Sequence, residues 1–219
     1  RSLVGSEMCI RDRFVDSSQD LGNEQSRDLA IGDVDDDGDL DVLVANLFDT
    51  EPNVLYLNDG LGGFPLTRSV GMSFTGAVAL GDLDGDGDLD GFIVNDAAKE
   101  VWLNDGSGFF ADSGQRLWGY NGYDVALGDL DGDGDLDALV AKTSGGNEVW
   151  VNNGSGVFTL APQGWSDSTT YAVALGDVNG DGSLDAVFGN NGEANTVWVN
   201  KIASTCYAKV ASNMAITYT

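Results

Sequence analysis

The sequence predicts an all-β fold: a β-propeller, or a fragment of one, with about four repeats of about 48 residues that each form a four-stranded antiparallel blade. Three observations predict it. An acidic ten-residue motif begins at Gly32, Gly81, Gly128 and Gly176, at spacings of 49, 47 and 48 residues. Short apolar segments rich in β-branched residues flank every copy, which is typical of strands rather than helices. A second landmark, Val-x-x-Asn, keeps the same period, so whole units repeat.

The strands of a unit follow from these landmarks. The apolar segment before the motif, such as 77–80, is strand A, and the segment after it, such as 92–94, is strand B. The Val-x-x-Asn landmark is strand C, and the Asn-Asp-Gly or Asn-Asn-Gly that follows favours a tight hairpin into strand D. We expect strand D around Phe64, Phe110 and Phe158, whereas the last unit has strands A to C and no clear strand D.

The ends of the repeat region suggest how the blades are arranged. Residues 14–19 resemble residues 110–115, so residue 14 is expected to begin inside a strand D. Either this strand closes the last blade of a four-bladed ring, or the chain is a fragment of a larger propeller. The fragment is favoured, because propellers have about 4–8 blades and four is the lower limit. We therefore divide the chain into a non-native or unstructured leader (1–13), the blades (14–200) and an irregular tail (201–219).

Composition excludes several classes of function. The chain has 36 acidic and 10 basic residues, a net charge of −26 and no histidine. This charge disfavours nucleic acid and anionic membrane surfaces as partners, and the absence of histidine removes His-dependent catalysis and His-ligated metal sites. No apolar segment approaches the ~18 residues of a membrane span, and residues 1–13 lack the features of a signal peptide. Cys9 and Cys206 are not assigned to a bridge.

The acidic motif has the spacing of a cation-binding loop. Counting from the first aspartate of the second copy, Asp82, Asp84 and Asp86 occupy positions 1, 3 and 5, Gly87 permits a sharp reversal at position 6, and Asp90 follows at position 9. Oxygen ligands without nitrogen or sulfur suit Ca²⁺ better than zinc or copper. The carboxylates of such a loop lie close together, so their negative charges would repel one another strongly without a bound cation. An EF-hand is excluded, because position 12 is apolar in all four copies and belongs to strand B.

The sequence thus predicts up to four calcium ions, each held by positions 1, 3, 5 and 9 and by the position-7 carbonyl. The predicted metal ligands are Asp33, Asp35, Asp37, Asp39 and Asp41; Asp82, Asp84, Asp86, Asp88 and Asp90; Asp129, Asp131, Asp133, Asp135 and Asp137; and Asp177, Asn179, Asp181, Ser183 and Asp185. The fourth loop should bind most weakly, because Asn179 and Ser183 carry no charge.

A D-x-D-x-D-G-x-x-D loop between two strands, repeated about every 48 residues, resembles the FG-GAP and VCBS repeats, like those of the integrin alpha-subunit propeller. The resemblance covers about residues 14–200. It implies a calcium-binding β-propeller, found in secreted or cell-surface proteins and often serving adhesion or carbohydrate recognition. The Phe-Gly and Gly-Ala-Pro signatures of the integrin version are not evident. The bacterial VCBS-like form is therefore closer, and integrin-style ligand binding is not expected.

Aromatic residues fall into two groups. Those in strand C are predicted to pack between blades, namely Tyr56, Trp102, Trp150 and Trp198. A second group lies in the links between strand D and the next strand A, namely Trp118, Tyr120, Tyr123 and Trp165. In an up-and-down blade these links lie on the face opposite the acidic loops. Exposed loop aromatics suit glycan or protein contact, although packing between blades also accounts for them.

The expected function is therefore a calcium-stabilised extracellular or cell-surface module that recognises a glycan or a protein through the face opposite the acidic loops. We expect no enzymatic activity in this segment, because every clustered aspartate belongs to a metal loop. Two alternatives remain open: a non-catalytic scaffold within a larger secreted enzyme, and a structural spacer in a surface adhesin.

Overall fold

The structure, a computed structural model, describes residues 16–48, 51–71, 74–162 and 168–201. Several positions discussed above lie outside the described residues, namely the leader 1–13, Phe14, Trp165, both cysteines and the tail from residue 202. The described residues contain sixteen strands, and they are all antiparallel to their neighbours.

The strands form four sheets in sequence order, as the repeat predicts, except that the second sheet has a fifth strand, Leu117–Trp118, which pairs with the strand Ala98–Asn104. The first sheet contains β1 (Ser26–Gly32), β2 (Asp41–Asn46), β3 (Asn53–Leu57) and β4 (Leu66–Val70). The second contains β5 (Thr75–Gly81), β6 (Asp90–Asn95), β7 (Ala98–Asn104), β8 (Phe110–Asp112) and β9 (Leu117–Trp118). The third contains β10 (Gly122–Gly128), β11 (Asp137–Lys142), β12 (Glu148–Asn152) and β13 (Phe158–Leu160). The fourth contains β14 (Thr170–Gly176), β15 (Asp185–Asn190) and β16 (Thr196–Trp198).

Strand D agrees with the sequence analysis in two blades and differs slightly in the first. Phe110 and Phe158 begin β8 and β13, as expected. In the first blade β4 begins at Leu66, two residues after Phe64, because the intervening Pro65 has no N–H to donate to the sheet. The fourth blade has three strands among its described residues, as expected from the missing landmark.

The core lies between successive blades. One cluster joins the first and second blades through Val34, Leu43 and Ile93, and another joins the second and third through Phe92, Val140 and Phe158. The A strands stand side by side, with β1 against β5, β5 against β10 and β10 against β14. Within the described residues, β1 and β14 make no comparable contact, so the blades form an arc rather than a closed ring.

The strand order places the two sets of loops on opposite faces. On one face, the acidic loop of the second blade accepts a hydrogen bond at Leu83 O from Gly156 N of the next C–D hairpin, at 2.8 Å. On the other, Thr143 N in a B–C loop donates to Asn121 O in a D–A link, at 3.0 Å. In the described part of the chain, no helix has the length and apolar character needed to cross a bilayer.

Candidate metal loops and the opposite face

Each acidic loop is a tight connection between strands A and B. The loop of the second blade spans the residues between β5 and β6, and its counterparts lie at the same place in the other blades. Gly at position 6 has a positive φ in every loop, from 90° to 102°, a conformation that side chains rarely adopt. The position-6 N–H donates to the position-1 carboxylate at 2.9–3.1 Å in all four loops, which fixes that carboxylate inside the turn.

The carboxylates predicted as ligands converge in three of the loops. In the first and second loops, oxygen atoms of positions 1, 3 and 5 lie within 4.8 Å of one another. In the third loop the convergent group is Asp129, Asp131 and Asp137, from positions 1, 3 and 9. The fourth loop forms no such group of three acidic residues in the described chain, consistent with Asn179 at its position 3.

The position-9 aspartates connect the loop to strand C. Asp41, Asp90, Asp137 and Asp185 are at most 1% exposed. In every blade one oxygen accepts from the position-2 N–H, at 2.8–3.0 Å. The other oxygen accepts from the backbone N–H of the landmark asparagine, at 2.8 Å. Each carboxylate oxygen keeps a second lone pair, so this role leaves acceptor capacity for a cation.

The position-7 side chains lie against the neighbouring C–D hairpin. A Cβ on Gly106, which has a φ of 73°, would lie 2.7 Å from Asp88 Oδ2. A Cβ on Gly60 or Gly154 would lie closer still to Asp39 Oδ2 or Asp135 Oδ2. Glycine is therefore needed in this hairpin both for its positive φ and for the space that the aspartate occupies. This arrangement leaves the backbone carbonyl of position 7, rather than its side chain, as the predicted ligand.

The first loop holds buried carboxylate oxygens that lack a partner within the described residues. Asp33 Oδ1 and Asp35 Oδ1 accept no hydrogen bond there. In the second loop, by contrast, Asp82 Oδ1 accepts from Gly85 N at 2.7 Å. The two loops also differ at position 4, where the first has Asp36 with a φ of 57° and the second has Gly85 with a φ of 82°. Because burying such an oxygen without a partner is costly, these two atoms fit a bound cation.

The electrostatics of the loops also fit a cation. Burial, followed by repulsion from Asp41, Asp37 and Asp33, raises the pKa of Asp35, and Arg68 opposes this rise. Burial and nearby aspartates likewise raise the pKa values of Asp84 and Asp131.

The buried position-9 carboxylates show a larger effect. Burial raises the pKa of both Asp90 and Asp137 to about 6, although their backbone hydrogen bonds oppose the rise. In the fourth loop, hydrogen bonds from the backbone of Gly182 and its neighbours instead hold the pKa of Asp177 below its usual value. A divalent cation would stabilise the ionised form in the crowded loops and needs only the oxygen donors already present.

The aromatic residues proposed for the opposite face differ in how far their side chains are exposed. Trp118 and Tyr120 are 67% and 62% exposed, so they do not pack between blades. Tyr123 lies in β10, a strand A, rather than in a link as predicted, and it is half-buried. Its ring makes an edge contact with Tyr171, at 4.3 Å between centroids, and Arg27 lies 3.8 Å above it. Trp165 lies outside the described residues.

Two depressions open on this face. One is lined by Trp118, Arg116, Glu100, Asp96 and Phe74, among others. The second lies beside the ends of the A strands, and its lining includes Arg27, Asp96, Asn121, Tyr123 and Tyr171. Asp96 lines both, so the two depressions are neighbours. Aromatic surface beside amide, carboxylate and guanidinium groups combines apolar contact with hydrogen bonding.

A buried charged network behind this face was not predicted from the sequence. Lys99 is fully buried, and its Nζ lies 2.6 Å from Glu148 Oε2, while Lys142 Nζ lies 2.5 Å from Glu148 Oε1. Lys99 also donates to Gly119 O at 2.8 Å, next to Trp118. Burial lowers the pKa of Lys99. Burial would raise that of Glu148, but hydrogen bonds from Lys142 and Lys99 outweigh it and lower the pKa.

The strand C aromatics pack as predicted in the two middle blades. Trp150 belongs to the cluster between the second and third blades, and Trp102 packs against the cluster between the first and second. Trp102 Nε1 donates to Glu100 at 3.0 Å and Trp150 Nε1 to Glu148 at 3.1 Å. These indoles are therefore structural.

Comparison with known proteins agrees with this architecture. A family model described as an FG-GAP-like repeat matches residues 33–93, 82–140 and 129–188, which together exceed half of the chain. The protein belongs to the FG-GAP-like repeat family. No curated protein matches it.

Among 43 matching chains of solved structures is a lectin of Agrocybe aegerita that recognises non-reducing terminal N-acetylglucosamine. The two are 24% identical, with a TM-score of 0.51 over 78% of this chain and 52% of the lectin chain. This chain thus spans about half the length of the lectin, and the likeness concerns the fold.

Proposed function

We propose that this protein is a calcium-stabilised recognition module, in which the acidic loops hold the blades and the opposite face binds a glycan or a protein. The observation that carries the proposal is the difference between the two faces. The acidic face repeats the same loop and the same hydrogen bonds in every blade, whereas the opposite face carries exposed aromatics beside two depressions. Binding sites usually lie in loops that vary in sequence and are held by a rigid scaffold.

Calcium has a structural role in this proposal. Positions 1, 3, 5 and 9 and the position-7 carbonyl of each loop would hold up to four ions. When bound, the ion supplies positive charge to a cluster of carboxylates whose ionised forms are otherwise disfavoured. Because position 9 is bonded to strand C, an ion there would also tie three strands of a blade together. We infer an extracellular or cell-surface location, where millimolar calcium fills sites with dissociation constants of about 10⁻⁴–10⁻³ M.

Binding of a partner is assigned to the depression beside Trp118. The exposed indole offers a flat apolar surface, and Glu100, Asp96 and Arg116 offer hydrogen-bonding groups around it. Arg116 is held by Asp112 at 2.7 Å and by Glu100 at 3.3 Å, so its guanidinium is fixed in position before a ligand arrives. A lectin of similar fold supports a glycan as the first ligand to test.

We propose no catalytic activity for this segment. Each group of three convergent acidic residues found in the described part of the chain lies in an acidic loop. In this proposal those carboxylates bind the cations.

The test is a glycan array that includes non-reducing terminal N-acetylglucosamine, probed with the protein in calcium and followed by calorimetry on any hit. Trp118→Ala should reduce the affinity about tenfold or more, as expected for a stacked aromatic anchor. The matched control is Phe109→Ala, because Phe109 is 59% exposed but lies in a C–D hairpin on the acidic face. Equal losses for both variants, or loss only for Phe109→Ala, would overturn the assignment of the face.

A further inference from the structure

Trp118 stands on a short additional strand at the edge of the second sheet. In β9, Leu117 pairs with Lys99 and Trp118 pairs with Ala98, both of β7. Leu117 is 6% exposed and belongs to the core cluster between the second and third blades, whereas Trp118 is 67% exposed. The backbone under the indole is therefore anchored on one side by Leu117. How firmly the indole is held depends on what anchors the chain on its other side.

The residue after Trp118 rests on a buried ion pair. Gly119 N donates to Ala97 O at 3.4 Å, a long hydrogen bond, and Gly119 O accepts from Lys99 Nζ at 2.8 Å. A Cβ built on Gly119 would lie 2.6 Å from Lys99 Nζ and 2.6 Å from Glu148 Oε1. Glycine is needed at this position because the backbone packs directly on the two charged groups.

The ion pair joins the second blade to the third. Lys99 belongs to β7 and Glu148 begins β12, so both residues lie in the C strands of their blades. Lys99 is 0% exposed, and its Nζ lies 2.6 Å from Glu148 Oε2. Lys142 Nζ bonds the other oxygen of Glu148 at 2.5 Å, but among the described residues it makes no hydrogen bond to the link at 119–121. Glu148 thus holds the Lys99 ammonium under Gly119 from the neighbouring blade.

Stability alone does not explain a lysine at this position. Removing an ion pair from water is costly, and well-packed apolar side chains of similar volume often stabilise a fold equally well or better. An apolar side chain at position 99 could fill the space, but it could not donate a hydrogen bond to the Gly119 carbonyl. The lysine therefore matters for where the backbone beside Trp118 lies.

We propose that Lys99 is a positioning residue for the Trp118 depression: held by Glu148 of the third blade, it fixes the Gly119 carbonyl and so orients the indole before a ligand arrives. The inference rests on the proposed function, because it concerns the same depression. A ligand then meets an ordered indole and does not have to order it on binding, which favours affinity. The site on the second blade thereby depends on a side chain of the third.

Two matched variants separate positioning from charge. Lys99→Met and Lys142→Met each remove one buried ammonium, and each leaves Glu148 paired with one lysine. Only Lys99→Met removes the hydrogen bond to Gly119 O.

The first measurement is amide hydrogen exchange, followed by mass spectrometry in calcium and without ligand. In Lys99→Met, exchange over residues 117–122 should be about tenfold faster, as expected for the loss of one hydrogen bond to a charged group. Exchange in β12 and β13 should stay as in the wild type, because the change is local. Lys142→Met should leave exchange over 117–122 unchanged.

The second measurement is calorimetry with an oligosaccharide that ends in non-reducing N-acetylglucosamine. Lys99→Met should bind it about tenfold more weakly than the wild type, which corresponds to ordering roughly one backbone residue on binding. Lys142→Met should bind it as the wild type does. Gly119→Ala provides a second variant in case Lys99→Met folds poorly. Its methyl group would displace the ion pair, so it should produce the same local increase in exchange and the same loss of affinity.

The outcomes distinguish this inference from the function on which it rests. If Trp118→Ala abolishes binding while Lys99→Met and Gly119→Ala bind as the wild type does, the depression is the site and the positioning role is refuted. If the wild type does not bind the oligosaccharide, the first ligand of the proposed function fails, whereas a local increase in exchange still supports Lys99 as the residue that fixes the Trp118 backbone. Unchanged exchange over 117–122 in Lys99→Met, or an equal increase in Lys142→Met, would overturn the inference.

Discussion

Removal of the landmark asparagine at a junction between two blades should destabilise the protein more than removal of its counterpart in the first blade. Asn152 is 3% exposed, and its Nδ2 donates to Leu83 O across the junction at 2.7 Å and to Leu136 O within the blade at 3.1 Å. Each of these two bonds contributes about 0.5–1.5 kcal/mol, and Leu83 O still accepts from Gly156 N when the amide is removed. We therefore expect Asn152→Ala to lower the free energy of unfolding by about 1–3 kcal/mol. Asn152→Asp should cost more, because a carboxylate would then face the two carbonyls.

Asn58→Ala is the matched control for this prediction. Asn58 Nδ2 makes an exposed bond to Leu40 O at 3.0 Å, and no blade precedes it in the described chain. We expect a loss of about 1 kcal/mol or less. The measurement is urea unfolding followed by tryptophan fluorescence, at a concentration where the protein is monomeric. If Asn152→Ala and Asn58→Ala cost the same, the cross-junction bond does not hold the blades together and the reasoning is refuted.

Three further predictions concern the acidic loops. Asp36→Gly should raise the free energy of unfolding in chelator by about 1 kcal/mol, because the aspartate adopts a positive φ of 57° that glycine adopts without strain. Urea unfolding measures the change, and a variant less stable than the wild type would contradict the prediction. Because the pKa values of Asp90 and Asp137 are raised to about 6, the metal-free fold binds protons more tightly than the unfolded chain and should gain stability as the pH falls from 7 toward 4. The increase in Tm that calcium provides should therefore shrink over this range. An increase in Tm that stays constant with pH would argue against the prediction. Asp177→Ala should remove the weakest calcium-binding step in calorimetry, since its loop has the fewest charges, and loss of the tightest step would show that charge count does not rank the sites.

The sequence predicts the strands and loops well because both depend on local patterns that repeat. The period fixes where each acidic loop lies, and alternation of apolar segments with turn residues fixes the strands around it. Pro65 shifts one strand by two residues for a local reason that the sequence also contains.

Contacts between units were harder to predict. The position of Asn152 at the end of strand C was evident, but its hydrogen bond to Leu83, 69 residues earlier, depends on how two blades meet. The burial of Lys99 was missed because lysine is normally exposed, and only the fold places Glu148 beside it. Likewise, the sequence identified Trp118 and Tyr123 as one group, whereas the structure exposes the first and packs the second against Tyr171.

The most direct test of the central claim is thermal unfolding in calcium and in chelator, combined with a count of bound ions by native mass spectrometry. An ion at ten times its dissociation constant adds about 1.4 kcal/mol per site, so several filled loops should raise the Tm by several degrees or more. Asp84→Ala should remove one ion and part of that increase, because it takes an oxygen ligand from a convergent group. We predict up to four bound ions and a Tm that falls in chelator. Identical melting curves in calcium and chelator, with no ion bound, would contradict the account.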